Sequence, residues 1–188
     1  AAGGGPLDLG AVLRSIDAMI GDERVLVTDA GRFMGEAWNV FHVTDPRLFV
    51  LGCSFGAIGM GLGHAIGAAS AEPSLPTVMV TGDGGFMLGG LTEFNTAVRH
   101  GLDIVVIVCN DGGYGSEHIQ FRDRGMDPSI SLFDWPDFAP VADALGGRGV
   151  TVRDYSDLDA VGEALRQRSG PVLVDIKLDP DRMPRPPY

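Results

Sequence analysis

The sequence predicts an α/β protein: a doubly wound parallel sheet of about six strands with helices on both faces. The first observation is that runs of β-forming apolar residues alternate with segments of helical periodicity along most of the chain. The second is the run at 104–109, which contains only apolar residues, as expected of a central strand covered on both faces. Such alternation implies right-handed crossovers, which place helices on the two faces of one sheet.

Periodicity and turn residues place each element in order along the chain. Apolar residues at helical spacing predict a first helix at 9–20, with Asp8 as its N-cap and Gly21 at its end. Runs of β-forming residues predict the strands, and apolar residues three or four apart predict the other helices. The elements predicted after the first helix are a strand at 25–28, a helix at 33–43, a strand at 48–51, a helix at 58–71, a strand at 77–81, a helix at 90–100, a strand at 104–109, a long polar loop at 110–132, a helix at 134–145, a strand at 150–152, a helix at 156–168 and a strand at 171–176.

The segment 48–71 has no charged side chain and is long enough to cross a bilayer. It also contains six glycines, and its composition changes from β-forming residues to small ones. A strand, a glycine turn and a buried helix explain this pattern better than a single membrane-spanning helix.

Composition indicates one globular domain at 7–178, with a glycine-rich linker at 1–6 and a proline-rich, extended tail at 179–188. No secretory signal pattern is visible. Cys53 and Cys109 lie in apolar runs, which predicts buried free thiols in a reducing compartment. We therefore expect a cytoplasmic protein.

The formal net charge of −11 and the pI of about 4.6 exclude two classes of partner. Nucleic-acid binding requires a basic face for phosphate contacts. Docking on anionic lipid requires basic residues as well.

Glycines and polar residues gather after four of the predicted strands, at 29–33, 52–59, 82–86 and 110–116. The carboxyl ends of parallel strands share one edge of a sheet, where ligands bind. Glycine amides at helix starts favour anions. However, no G-x-x-x-x-G-K-[ST] sequence occurs, and the best G-x-G-x-x-G match fails at Met87.

The acidic residue Asp83 lies inside this glycine-rich edge and would repel a bare diphosphate. A cation between the two removes that conflict. Mg²⁺ takes oxygen ligands and commonly binds through one or two protein side chains plus phosphates. Asp83 and Asn110 would supply a carboxylate and an amide oxygen, with the Gly112 carbonyl as a third ligand.

Two stretches of the sequence resemble thiamine-diphosphate-dependent enzymes. Gly82-Asp83-Gly84, with Asn110 27 positions after Asp83, is similar to the motif in which GDG precedes a pair of asparagines. The segment 56–69 resembles the stretch that precedes GDG in acetolactate-synthase-like members. The resemblance covers about 7–178 and is to one domain, the C-terminal diphosphate-binding domain.

The resemblance implies a set of contacts for thiamine diphosphate and Mg²⁺. The metal ligands would be Asp83, Asn110 and the carbonyl of Gly112, and Ile58 would lie beneath the cofactor and bend it. The implied cofactor-binding positions are Gly31, Arg32, Phe33, Gly56, Ala57, Ile58, Gly82, Asp83, Gly84, Gly85, Asn110, Gly112, Gly113, Tyr114, Gly115 and Ser116.

The sequence departs from the family pattern in three respects. Asp111 replaces the second asparagine of the motif, which adds charge near the metal. Gly63 stands where a proline is common. The activating glutamate of the family belongs to a separate pyrimidine-binding domain, so we expect this chain alone to bind half of the cofactor and to catalyse little.

The resulting prediction is a thiamine diphosphate- and Mg²⁺-binding domain of a 2-oxo-acid decarboxylase or carboligase, homo-oligomeric, working with a pyrimidine-binding domain of the same enzyme or of a partner subunit. Three alternatives stay open. In the first, the chain is a natural cofactor-binding subunit of a two-chain decarboxylase. In the second it is a non-catalytic module that keeps the fold, and in the third it is a different α/β nucleotide enzyme that uses Asp83 with another phosphate ligand.

Overall fold

Six parallel strands form one sheet in the computed structural model, which describes residues 7–183. The predicted linker at 1–6 and the last part of the predicted tail, 184–188, lie outside the described residues. The strands are β1 (Val25–Asp29), β2 (Phe49–Gly52), β3 (Thr77–Gly82), β4 (Ile104–Asn110), β5 (Arg148–Val152) and β6 (Val172–Lys177). Their order in the sheet is β2-β1-β3-β4-β6-β5, and every pairing is parallel.

Helices alternate with the strands along the chain, as the periodicity predicts. Asp8 caps the first helix through a 2.7 Å hydrogen bond from the Ala11 N–H to its carboxylate. The helices are α1 (Leu9–Ile20), α2 (Met34–Val40), α3 (Gly61–Ala71), α4 (Leu91–Arg99), α5 (Gly115–Asp123), α6 (Phe138–Ala144) and α7 (Leu158–Arg166).

Two apolar cores cover the two faces of the sheet, which confirms the doubly wound architecture. One core joins α1, α2 and α7 to the sheet, and the other joins α3, α4 and α6 to it. Alternate residues of β4 enter opposite cores: Val105 and Ile107 face one, and Val106 and Val108 face the other. β4 is therefore the central, fully buried strand that its composition predicts.

The prediction of a continuous polar loop at 110–132 is wrong, because α5 lies within it. Only His118 of α5 is buried. The helix therefore lacks the apolar stripe by which periodicity reveals a helix.

Three helix starts also differ from the prediction, and the helix predicted at 134–145 begins only at Phe138. The helix predicted at 58–71 begins at Gly61, after a 3-10 turn at Ser54–Gly56 in which Phe55 has a φ of 62°. The helix predicted at 90–100 is preceded by a helical turn at Asp83–Gly85 and a π-helical turn at Phe86–Gly90. β3 therefore passes directly into helical structure at the glycine-rich edge.

The segment 48–71 forms β2, a turn and α3, in agreement with its glycine content. Within residues 7–183, none of the helices has both the length and the apolarity that crossing a membrane requires.

The sheet order brings the functional loops together. The chain leaves β1 towards β2 on one side and continues at β3 on the other, so a topological switch point lies between β1 and β3. Ligands of open α/β sheets bind at such points, beyond the carboxyl ends of the strands. The loops after β1, β3 and β4 meet there, because these three strands are neighbours.

Candidate functional site

A cavity lies at the carboxyl ends of β1, β3 and β4. Its volume is about 60 Å³, well below the roughly 300 Å³ or more of a complete ligand pocket. The lining residues are Ala30, Gly31, Arg32, Phe33, Ile58, Gly82, Asp83, Gly84, Gly85, Cys109, Asp111, Gly113, Tyr114, Gly115, Ser116, Glu117 and Met183.

Most of the positions predicted to contact a cofactor line this cavity. The exceptions are Gly56, Ala57, Asn110 and Gly112, which do not. Residues from all four predicted loops therefore meet at the cavity. Asn110 and Gly112, which the sequence predicts as metal ligands together with Asp83, are not among its lining residues.

Asp83 and Asp111 are the two buried carboxylates that line the cavity, whereas the third, Glu117, is exposed. Burial raises the pKa of the Asp83 carboxyl, and the charge of Asp111 raises it further. Burial likewise raises the pKa of Asp111, and both the charge of Arg32 and a hydrogen bond with Asp83 act against this rise. Two buried carboxylates that lie this close together form a donor set that suits a divalent cation.

The two positions after Asp83, Gly84 and Gly85, must be glycine because neighbouring side chains leave no room for a Cβ. A Cβ on Gly84 would lie 2.6 Å from the ring of Tyr114. A Cβ on Gly85 would lie 2.7 Å from the Asp29 carboxylate. Both glycines belong to the helical turn that follows β3, and both line the cavity.

Asn110 is turned away from the cavity. Its side-chain amide donates to Asp175 Oδ1 at 2.8 Å, and its Oδ1 accepts from the Gly112 N–H at 3.2 Å. The Gly112 carbonyl accepts from the Phe133 N–H at 2.7 Å. The predicted arrangement, with Asn110 and Gly112 beside Asp83, is therefore not the one observed; Asp111 and Gly113 occupy the cavity wall instead.

The carboxylate of Asp29 supports the site from behind. It is fully buried, and its Oδ2 accepts from the Gly59 N–H at 2.9 Å and from the Thr81 hydroxyl at 3.2 Å. Burial raises its pKa, and these hydrogen bonds act in the opposite direction. The contact with Gly59 ties the glycine-rich segment to β1 and so places Ile58 at the cavity.

Arg32 connects the cavity to the C-terminal residues. Its guanidinium is buried, lies 3.8 Å from an Asp111 oxygen, and donates to the carbonyls of Gly115, Pro180 and Met183. The described part of the predicted tail makes a turn that packs against Arg32 and carries Met183 to the cavity wall.

The predicted set of contacts omits several residues of the site. Those that line the cavity are Ala30, Cys109, Asp111, Glu117 and Met183, and those that support it from behind are Asp29, Trp135 and Asp175. Trp135 donates its indole N–H to Asp83 Oδ2 at 2.8 Å. Asp175 accepts from Asn110 and from the Phe138 N–H. Asp29 was noted only as part of a loop. A buried acid within the apolar strand β6 is a signal that could have revealed Asp175; nothing local to Trp135 indicates its partner.

Within residues 7–183, no group of three or more His, Cys, Asp or Glu side chains is arranged to hold a metal ion. Mg²⁺ does not need such a group, because it retains waters and takes phosphate oxygens along with one or two carboxylates.

Comparisons with known proteins agree with this geometry. Residues 29–176 match the family model described as thiamine pyrophosphate enzyme, C-terminal TPP binding domain. The chain is 32% identical over 171 residues to human 2-hydroxyacyl-CoA lyase 2, covering 88% of this chain and 27% of that protein. It is 30% identical over 176 residues to the acetolactate synthase large subunit IlvG of Mycobacterium tuberculosis, covering 93% and 32%.

The fold is also that of a solved enzyme. The thiamine diphosphate-dependent 4-hydroxybenzoylformate decarboxylase of Rhodococcus jostii RHA1 superposes with a TM-score of 0.81 at 24% identity, covering 95% of this chain and 34% of that one. The chain spans less than a third of the length of the two curated relatives. The family match covers the strand ends that build the cavity, and the chain therefore belongs to the family of C-terminal TPP-binding domains of thiamine pyrophosphate enzymes.

Proposed function

We propose that this domain holds the diphosphate group of thiamine diphosphate through Mg²⁺, with Asp83 and Asp111 as the protein carboxylates. The observation that carries the proposal is that these two buried carboxylates, from neighbouring strand ends, line one cavity. The sequence favoured Asn110 as the second ligand. The observed commitment of Asn110 to Asp175 and Gly112 favours Asp111 instead, with the backbone carbonyl of Gly113 as the third donor, since Gly113 lines the cavity.

The backbone amides of Gly84 and Gly85 suit the diphosphate itself. They lie in a helical turn directly after β3, where N–H groups lack partners within the helix. The adjacent carboxylates would repel a bare diphosphate, so the metal has to accompany it. Thiamine diphosphate, when bound, supplies the carbanion chemistry for breaking or forming bonds next to a carbonyl. This chain's residues bind and orient it.

The parent activity that we propose is that of a 2-oxo-acid decarboxylase or carboligase. The relatives are named as a synthase, a lyase and a decarboxylase, and this chain corresponds to less than a third of the first two. The small cavity and the fully exposed side chain of Phe55, close in sequence to Ile58, support the proposal that a pyrimidine-binding domain completes the site. On this view the chain alone is inactive, and the whole enzyme is an oligomer.

A cytoplasmic location is part of the same proposal. Cys53 and Cys109 are both free thiols, and Cys109 is buried at the cavity. Free thiols are typical of proteins in a reducing compartment.

Calorimetric titration with thiamine diphosphate, with and without Mg²⁺, tests the proposal. We expect binding only with Mg²⁺, weakened at least about 10-fold in Asp83→Asn and in Asp111→Asn. Asp22→Asn is the matched control, because Asp22 is exposed on the loop before β1. Equal binding by the wild type and both site variants would remove the metal assignment.

Two further arms of the titration separate the alternatives. Competition by ATP as strong as by thiamine diphosphate would favour a different nucleotide enzyme. If neither ligand binds with Mg²⁺, the chain is a module that keeps the fold without the cofactor. A loss of binding confined to Asn110→Ala would restore the ligand assignment that the sequence predicts.

A further inference from the structure

The indole of Trp135 donates a hydrogen bond to the Asp83 carboxylate, 52 positions away in the sequence. Its Nε1 donates to Asp83 Oδ2 at 2.8 Å. An indole N–H can only donate, so the contact fixes one carboxylate oxygen as an acceptor. Asp83 itself is 1% exposed, so this hydrogen bond is buried.

The position of Trp135 is itself determined by an aromatic series. Its ring stacks on Phe133 with centroids 4.6 Å apart and planes 27° apart. Phe133 meets the edge of Tyr114 with centroids 4.9 Å apart. Tyr114 lies directly against Gly84, the neighbour of Asp83. The three rings thus form a continuous series of contacts, which begins at Asp83 with Trp135 and ends at Gly84 with Tyr114.

Backbone hydrogen bonds hold the same segment to the loop after β4. The Tyr114 N–H donates to the Ser131 carbonyl at 2.8 Å, and the Phe133 N–H donates to the Gly112 carbonyl at 2.7 Å. This short antiparallel bridge joins the segment that carries Trp135 to the loop that carries Asp111. One rigid unit therefore sets the positions of both carboxylates.

The charge of Asp111 explains why such a unit is needed. Asp83 and Asp111 repel each other when both are ionised. A neutral donor directed at Asp83 holds its carboxylate in place without cancelling the charge that a cation requires.

We propose that Trp135 is a positioning residue for Asp83, and that its indole holds this carboxylate in the orientation that binds the divalent cation. The inference rests on the proposed function, because it assigns Asp83 to the metal. It extends that function to a residue beyond the glycine-rich motifs, and it makes Trp135 a spectroscopic reporter of the metal site.

The test uses the full chain and Mn²⁺ as the probe, with thiamine diphosphate present and free Mn²⁺ measured by electron paramagnetic resonance. Trp135→Phe keeps a ring for the stack on Phe133 and removes only the N–H donor. We expect its Mn²⁺ affinity to fall about 10-fold, the lower end of what outer-shell hydrogen bonds to metal ligands contribute. Phe133→Leu, which keeps the indole but removes the stack, should show a smaller loss.

The chain has two tryptophans, so each variant that lacks one isolates the other. Trp38 donates to Thr28 and contacts Phe49, and Trp38→Phe is the matched control. With Trp38→Phe, the emission of Trp135 should change on addition of Mn²⁺ and on introduction of Asp83→Asn. With Trp135→Phe, the emission of Trp38 should change with neither.

Each outcome decides a separate question. If the wild type binds Mn²⁺ and Trp135→Phe binds it within twofold as tightly, the inference is overturned and the proposed function stands. If the wild type does not bind Mn²⁺, the proposed function fails. In that case the inference is tested without metal, by comparing the emission of Trp135 in Trp38→Phe with and without Asp83→Asn. If the emission does not change, the indole does not hold the carboxylate and the inference is overturned.

Discussion

The substitution Gly85→Ala tests whether the Asp29 carboxylate is held rigidly behind the site. A Cβ on Gly85 would lie 2.7 Å from Asp29 Oδ2 and 2.9 Å from Thr81 Oγ1, closer than van der Waals contact permits. Asp29 Oδ2 also accepts from the Gly59 N–H at 2.9 Å. The carboxylate therefore cannot rotate away without leaving buried polar groups unpaired.

The magnitude follows from two opposing effects. Crowding a well-packed interior costs about 1–3 kcal/mol, and the fixed carboxylate places Gly85→Ala at the upper end, at about 3 kcal/mol. Alanine in a helical turn regains about 1 kcal/mol relative to glycine. We therefore expect the free energy of unfolding to fall by about 2 kcal/mol, the difference between these two effects.

Gly67→Ala is the matched control. Gly67 lies within α3, and a Cβ there would meet no atom within 4 Å. This variant should gain up to about 1 kcal/mol from helix propensity alone. Urea unfolding followed by far-ultraviolet circular dichroism measures both. If Gly67→Ala gains stability and Gly85→Ala matches the wild type, the Asp29 carboxylate is free to move and the reasoning is refuted.

Three further predictions concern the groups around the cavity. Burial raises the pKa of Asp29, so the folded protein holds this proton more tightly than the unfolded chain does, and its stabilising effect is lost as the pH rises. In urea melts, the free energy of unfolding of the wild type should fall relative to that of Asp29→Asn as the pH rises above about 4. If the two free energies change with pH in the same way, this prediction is wrong. Arg32→Gln removes the donors to the Pro180 and Met183 carbonyls, so trypsin should cleave after Arg182 faster by mass spectrometry; an unchanged rate means that other contacts hold the turn. Asn110→Ala takes a donor from the buried Asp175 carboxylate and should lower the free energy of unfolding by about 1–3 kcal/mol in urea melts, whereas an unaltered value argues against an anchoring role.

The sheet could be predicted because its signals are local. A buried parallel strand is a run of apolar residues, and β4 shows this without interruption until Asn110. The helix α5 could not be predicted in the same way. Its one buried residue is His118, whose ring contacts Asp181. A helix with a single buried residue leaves no periodic apolar pattern in the sequence.

The site could be predicted to the level of loops, but not of every side chain. Asp83 lies where the motif places it. Asn110 does not face the cavity, and the period of a strand explains why. Asn110 has the parity of Val106 and Val108, which face the core beneath α4 and α6. There it meets Asp175, a partner 65 positions away that no spacing rule connects to it.

Under the proposed function, the charges at the cavity argue that the metal and the diphosphate bind as one unit. The buried charged side chains of the cavity, Asp83, Asp111 and Arg32, carry a net charge of −1 with both carboxylates ionised, and Glu117 is left out of this sum because it is exposed. That sum repels a diphosphate, and burial disfavours both ionised carboxylates in the absence of a cation. A divalent cation changes the sum to +1, which attracts the diphosphate. Each ligand therefore removes the unfavourable charge that the other would meet alone, and by linkage each must raise the affinity for the other by the same factor.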